Sequence, residues 1–415
     1  VTTPWRGFRI IPDDLLFFRD GRPSTRGDDH YLRSLFPPNP STLYGALRTR
    51  RLLDAGVSLR ELRKSGRELW EELPDELRSE LGAWGGFGTL EIRGPWLVSD
   101  KDGVLLPAPA DLAVVVPREE DTTSITGARS HHEEPPLPFA GTVVVRFLAA
   151  EDPGGRHSHQ GRLLHPFTWE GGGWAAWTDP APPRVVPGWW LTPQGLAAWA
   201  EGSAPAPADL VHSSALWLDE ARVGVGLQAD QRTSADGQLY TFGFIRLRPG
   251  ISLGFDARGT GLEPGRRVVL GGEGRTGWLA EGPILPASPV PSTPASGLRV
   301  ALATPALSAS GAALPGFAAV GTAGELLGTT TRLSGALVSG HTLVGGWDLA
   351  RSRPKPLRRA IPVGSVGLLQ AEPTTSLEPA AFHGRAVSDF EDEEHLARQG
   401  FGLLLAGIEP QIQHT

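Results

Sequence analysis

The chain contains no cysteine. Disulfides, cysteine–zinc sites and cysteine nucleophiles are therefore excluded, and a cytoplasmic setting is expected. It also lacks any run of about eighteen apolar residues, so no membrane span is predicted. The opening Val1-Thr2-Thr3-Pro4-Trp5 has no basic segment leading into an apolar one. No secretory leader is expected, and the numbering is read as starting after an initiator methionine. A positive balance is missing too: the formal net charge is −7. A free-standing nucleic-acid binder is usually basic overall, so any such site here must be a local patch. The acidic remainder is left for solubility or a protein partner. Catalytic signatures are absent as well: no Walker loop, no Gly-x-Ser-x-Gly elbow and no His-Glu-x-x-His.

What the chain does have is 415 residues, rich in Gly (53) and Pro (38). That length exceeds one ordinary core, so two domains are expected, over 1–288 and 289–415. The Pro-, Ala- and Ser-rich stretch 283–294 reads as their junction. Arginine far outnumbers lysine, which together with the Gly and Pro is read as codon bias and many loops.

In order, residues 6–18 read as a strand broken by Pro12, followed by the charged turn Arg19-Asp20-Gly21-Arg22-Pro23. Pro37, Pro38 and Pro40 hold an extended approach. Ser41 is then the expected N-cap of a helix running to about Leu53. Tyr44, Arg48 and Arg51 share one stripe of it, equally compatible with a solvated face and a contact face. Arg50 falls towards the apolar side without an evident reason. A second helix is predicted over 59–81, capped by Ser58. The stretch 82–215 reads as a large insertion of short strands and loops. It carries His131, His132, His157, His159 and His165, which at their spacing are better read as surface histidines than as metal ligands.

From Trp217 the pattern alternates. Val223, Val225 and Leu227 mark one strand, and Tyr240, Phe242 and Phe244 its neighbour. The polar stretch 229–237 between them, with Arg232 and Thr233, is either a projecting finger or a plain loop. The stretch 351–366 is the most basic of the chain: Arg351, Arg353, Lys355, Arg358 and Arg359 without an acid, held extended by prolines. Phosphate contact is its favoured reading. A terminal helix is expected over 388–399, with Ser388 as cap and Asp389 in its first turn, then Gly400-Phe401-Gly402 and an apolar strand. The element order predicts an α+β fold of two ferredoxin-like (RRM-like) βαββαβ domains, the first carrying the insertion. His30 is the nearest thing to a general base, but no acid or oxyanion partner accompanies it.

Several blocks carry a resemblance. Phe17-Phe18-Arg19-Asp20-Gly21-Arg22-Pro23, Phe36 to Arg48, Arg222-Val223-Gly224-Val225, Gly237-Gln238-Leu239-Tyr240, Leu270 to Arg275, Gly345-Gly346-Trp347-Asp348, and Pro354-Lys355-Pro356 with Ile361 to Val366 occur in family order. Together they resemble the third subunit of the Cmr complex, the type III-B CRISPR–Cas RNA-targeting effector. The resemblance implies a RAMP protein of two ferredoxin-like domains that cuts no RNA and needs no metal or cofactor. It implies docking on the large polymerase-like subunit, contact with other Cmr backbone subunits, and a grip on the repeat-derived 5′ handle of the CRISPR RNA, with target RNA an indirect partner. Gly400, Gly402 and the strand after them resemble a shortened form of the RAMP glycine-rich loop. The RNA-contact group expected on this basis is Arg22, Ser41, Thr42, Arg48, Arg232, Thr233, Lys355, Arg358, Arg359, Gly364, Ser365, Gly400 and Gly402. Two other readings stay open. One is a metal-independent endoribonuclease that processes CRISPR RNA, with His30 as base. The other is the equivalent type III-A subunit, against which the Phe-Arg-Asp-Gly-Arg-Pro block argues.

Overall fold

Alternation of buried and exposed residues along the N-terminal strand sets the first layer. In Arg6–Pro12, Phe8 and Ile10 are buried while Ile11 is exposed. The computed structural model describes residues 3–19, 31–116, 144–151, 163–170, 173–176, 184–185, 188–227, 234–290, 294–311, 313–348, 353–373, 375–389 and 395–408. Arg6–Pro12 lies between Ile251–Arg258 and Thr276–Glu281, antiparallel to both. Ile251–Arg258 pairs in turn with Glu91–Ser99. Gly103–Pro107, Trp189–Leu191 and Leu210–His212 extend this sheet on one side, and Arg266–Val269 closes the other, giving eight strands. Within 82–215, therefore, four strands belong to the large sheet. A separate five-stranded sheet is drawn from residues 112–185.

The Pro40–Asp54 helix crosses the inner face of the large sheet. Leu43, Tyr44 and Leu47 pack with Phe8, Ile10, Leu97, Leu253 and Phe255. Each such fully buried side chain contributes about 1.5–3 kcal/mol of transfer free energy. The helix begins one residue earlier than its expected cap. Asn39 is the N-cap, with no side-chain cap bond, and Pro40 takes the first position. Proline suits that place because its φ is already helical and its missing N–H would have no partner there. Ser41 thus lies inside the first turn. The expected second helix is three short ones, Leu59–Ser65, Arg67–Glu71 and Asp75–Leu81. Gly66, at φ 53°, and Pro74 are the breaks. Ser58 does cap the first of them, accepting from the Glu61 N–H.

The second sheet has five strands in the order Ala323–Leu326, Thr329–Leu337, Val366–Ala371, Gly297–Leu302, Leu404–Ile408, all antiparallel. Both of its faces are buried. Leu298, Val300, Leu302, Leu404 and Ala406 meet Leu314, Phe317, Leu377 and Phe382 on one side. Ala301, Val366, Leu368, Leu403 and Leu405 meet Trp96, Trp189, Leu196 and Trp199 on the other. The Pro193–Ala200 helix, capped by Thr192, sits in that second layer. A long ribbon of Trp217–Leu227 and Ser234–Leu247, with Tyr31–Arg33 added in parallel, forms a third sheet.

The molecule is thus α+β, with mostly antiparallel sheets and few helices among the described residues. At the C-terminus the described helix spans only His395–Arg398. The Asp389 carboxylate accepts from the Ala309 and Gly316 N–H groups and ties down the 308–316 loop, and residues 390–394 of the expected helix start lie outside the described residues. Among the described residues no helix is long and apolar enough to cross a membrane.

Candidate RNA-contacting surface

The basic stretch folds as one side of a two-part hairpin arm. Thr342–Val344 pairs with Arg358–Ala360, and Trp347–Asp348 with Arg353–Pro354. Between the two parts the Lys355 N–H donates to the Gly346 carbonyl at 2.9 Å. Val344 and Ala360 anchor the base in a small cluster with Leu307, Leu396 and Phe401. Pro354 interrupts ordinary ladder bonding, so the arm stays narrow and its cations cannot form helical i,i+4 pairs. Arg353, Lys355 and Arg359 are exposed and Arg358 is half-buried.

The arm lies beside the Pro40–Asp54 helix. Phe87 stacks on His395 at 4.4 Å between ring centroids and packs against Tyr44. Asp348 on the arm is close enough to act electrostatically on Arg48. Ser41 and Thr42 are half-buried in the first turn, which carries no acidic residue. Backbone N–H groups and hydroxyls at such a turn suit an anion.

Arg48 is engaged inside the protein. Its guanidinium donates to the carbonyls of Leu81 and Gly86 at 2.9 and 3.0 Å, and it lies over the rings of Tyr44, Trp70 and Phe87. Burial lowers its pKa, and Tyr44 and Asp348 oppose that. Tyr44 is buried as well, which pushes its hydroxyl up to about 12, and the hydroxyl donates to the Leu90 carbonyl. Arg51 forms a two-pronged pair with Glu80, whose carboxylate also accepts from Thr260 and Gly261. The Tyr44/Arg48/Arg51 stripe is thus an internal seam and not a solvated face.

The glycines have packing duties. Gly364, at φ 83°, accepts from the Ala110 N–H, and Ser365 beside it is buried. A Cβ on Gly400 would stand 2.7 Å from the Gly94 carbonyl, and one on Gly402 2.1 Å from that of Val387. Both have positive φ. Arg22, Arg232 and Thr233 lie outside the described residues, as do His30, His131, His132, His157 and His159. Among the described residues no cluster of three metal-ligating side chains occurs.

Deeply buried charge pairs join the first half of the chain to the second. Arg299 and Asp111 pair at 2.6 Å, each 2 % exposed. Arg299 also donates to the Trp199 and Ile408 carbonyls, and the Trp199 indole donates to Asp111. A second joint is Arg93 with Asp256, where Asp256 also accepts from the Leu285 N–H and Arg93 reaches the Gly384 carbonyl. Sequence reading singled out neither joint, because the partners lie far apart in the chain. The available signal was Arg299 itself, an arginine between apolar neighbours in a strand.

Over residues 8–409 the sequence matches the family described as CRISPR-associated protein (Cas_Cmr3). The chain belongs to that family. It is thereby a Cmr subunit of a type III-B CRISPR system, a setting of antiviral defence. No match was found among curated proteins. Two similar solved chains come from cryo-EM structures of the Type III-B Cmr-beta bound to cognate target RNA, one of them also with AMPPnP. They are 13 % and 14 % identical to this Cas_Cmr3 family member, cover 87 % of it and 86 % of their own length, and give TM-scores of 0.45 and 0.43.

Proposed function

We propose that this chain is a non-catalytic RNA-binding subunit of a Cmr effector, gripping the repeat-derived 5′ handle of the CRISPR RNA and docking on the large polymerase-like subunit. The observation that carries the reading is the arm: exposed Arg353, Lys355 and Arg359, with no acid from 353 to 371, on a chain of net charge −7. A local cationic strip on an acidic body suits a short contact with RNA phosphates and protein partners elsewhere. Lys355, Arg358 and Arg359 are its phosphate clamps. Ser41 and Thr42 add hydroxyls, and Ser41 a backbone N–H, the Thr42 N–H being given to the Asn39 carbonyl. Arg22, Arg232 and Thr233, outside the described residues, belong to the same proposed group. Arg48, Gly364, Ser365, Gly400 and Gly402 act by holding the arm and the helix in place.

The fold supports the same reading. Written by chain order, the strands of the large sheet's centre run 4-1-3-2, as Thr276–Glu281, Arg6–Pro12, Ile251–Arg258 and Glu91–Ser99. In the second sheet Leu404–Ile408, Gly297–Leu302, Val366–Ala371 and Thr329–Leu337 repeat that order. Two ferredoxin-like units, divided near residue 288, account for both. Such sheets commonly serve RNA recognition.

The test is binding of handle RNA to the full chain, alone and with its large partner, across a salt series. A Lys355/Arg358/Arg359→Ala triple variant is expected to bind more weakly, with its log–log salt slope reduced by roughly 2, about 0.7 per lost single-strand phosphate contact. Unchanged affinity and slope would remove these residues from the site. Incubation of repeat RNA in EDTA is expected to leave it intact, and cleavage lost on His30→Ala would favour the nuclease reading.

A further inference from the structure

Trp347 is 57 % exposed, against 44 % for Trp278. Leaving an indole in water forgoes the stabilisation of burying it, about 1.5–3 kcal/mol for a large apolar side chain. The same chain buries Trp96, Trp190 and Trp199 to 4 % exposure or less. The arm's geometry turns it outwards. Trp347 sits directly opposite Pro354, and Asp348 opposite Arg353, so the two pairs occupy opposite faces of the ribbon. Asp348 is on the face that acts on the buried Arg48. Trp347 and Pro354 share the other face of the ribbon, and both are exposed. Gly346, at φ 139°, is the irregularity that separates this pair from the Thr342–Val344 ladder below.

The surroundings say what covers the ring. Lys355 and Arg359 are exposed on the same arm, and the stretch 353–371 holds no acid. An indole with cations spaced along an extended backbone matches the stacking platform and electrostatic track that single-stranded nucleic acid uses. We propose that Trp347 is the platform on which one unpaired base of the bound RNA strand stacks, while the neighbouring cations hold its phosphates. This rests on the reading of the arm as an RNA contact and adds the single-stranded, base-stacked character of that contact.

The experiment is a double-mutant cycle with the full chain. Trp347→Ala and Trp347→Phe are compared with the native protein on a single-stranded handle RNA and on versions made abasic at one position at a time. Trp347→Ala is expected to weaken binding roughly 5- to 150-fold, the range for one stacked base, with the salt slope unchanged. Trp347→Phe should retain most of the affinity. At one position, removing the base should weaken native binding yet leave Trp347→Ala unaffected, which is the coupling a stacked pair requires. If the cation variants lose affinity and Trp347→Ala does not, the platform is overturned and the RNA-contact reading survives. If neither changes, both fail. A loss on Trp347→Ala without coupling to any abasic position overturns the platform. So does unchanged RNA affinity with weakened binding to the large subunit, which would make Trp347 a protein anchor.

Discussion

The two main sheets share a strand order and differ in what covers them. Between its first two central strands the N-terminal sheet has the Pro40–Asp54 helix and the three short helices after it. Between its third and fourth, the described residues hold a strand instead, Arg266–Val269. The C-terminal sheet does the reverse. Its first crossover, over 303–328, has no helix among the described residues, while Pro379–Phe382 and His395–Arg398 lie in the second. The N-terminal sheet therefore covers its inner face with its own helices. The C-terminal sheet is covered on one face by loops and the short Pro379–Phe382 helix and, on the other, by a helix and tryptophans from the first half of the chain. Similar strand orders thus give one layer that is largely self-sufficient and one that is completed by its neighbour.

The sharpest way to break this comparison is to separate the halves. A fragment of residues 294–408 exposes Ala301, Val366, Leu368, Leu403 and Leu405. It is expected to show no cooperative thermal unfolding by near-ultraviolet circular dichroism, as a collapsed state without fixed packing does. A sharp transition would mean the C-terminal sheet stands alone. Next in size is the buried pair. Asp111→Ala removes the carboxylate that faces the buried Arg299 and should lose about 3–5 kcal/mol in denaturant unfolding. A double Asp111→Leu/Arg299→Met change should recover much of that, since apolar residues of similar volume often replace a buried pair without loss.

Gly400 sharpens the comparison at the level of backbone contact. Gly400→Ala forces a Cβ against the Gly94 carbonyl at positive φ and is expected to cost about 1–3 kcal/mol. Gly56 also has positive φ but has open space around it, so Gly56→Ala should cost less, about 1 kcal/mol. Equal losses would mean that backbone strain alone, and not the seam between the halves, sets the effect.

A further effect is in pH. Burial pushes the Asp256 carboxyl up to about 6, against the pull of Arg93 and the Leu285 N–H. The folded state then holds more protons than the unfolded one between about pH 4 and 6. Asp256 therefore contributes stability at low pH that declines as pH rises through about 6. Parallel melting curves should show the advantage of the native protein over Asp256→Asn shrinking from pH 4 to pH 7. An advantage that grows instead would show the carboxylate to be held below its unfolded value.

Local features were legible in the sequence and pairings across the chain were not. The Pro40–Asp54 helix follows from its proline entry and the apolar spacing of Leu43, Ala46 and Leu47, which involve near neighbours alone. Strand alternation likewise announced the Trp217–Leu247 ribbon. The cap went astray because Ser41 and Asn39 are both good caps, and Pro40 decides between them by taking the first helical position. Arg48 was a contact candidate because a cation on a helix says nothing of which carbonyls await a donor. Here they are those of Leu81 and Gly86, at the end of another helix. Arg50, unexplained by its helix alone, donates to the Arg267 carbonyl and pairs with Asp54. The basic arm was visible as composition. Its fold as a hairpin beside the first helix depends on Val344, Ala360 and Phe401 meeting in space.

One consequence lies in where the five-stranded sheet of residues 112–185 is attached. The chain leaves the large sheet at Gly103–Pro107 and re-enters it at Trp189–Leu191, and these two strands are paired, Leu106 with Leu191 and Pro107 with Trp190. Entry and exit are thus adjacent and already held by hydrogen bonds. Loop-closure entropy grows only slowly with length, so the span between such points can change size with little effect on the sheet. This makes the interval after Leu112 a natural socket. Asp111 and Leu112 must stay, because they belong to the joint and to the core. Beyond them the chain can be shortened to a brief linker or exchanged for a reporter domain.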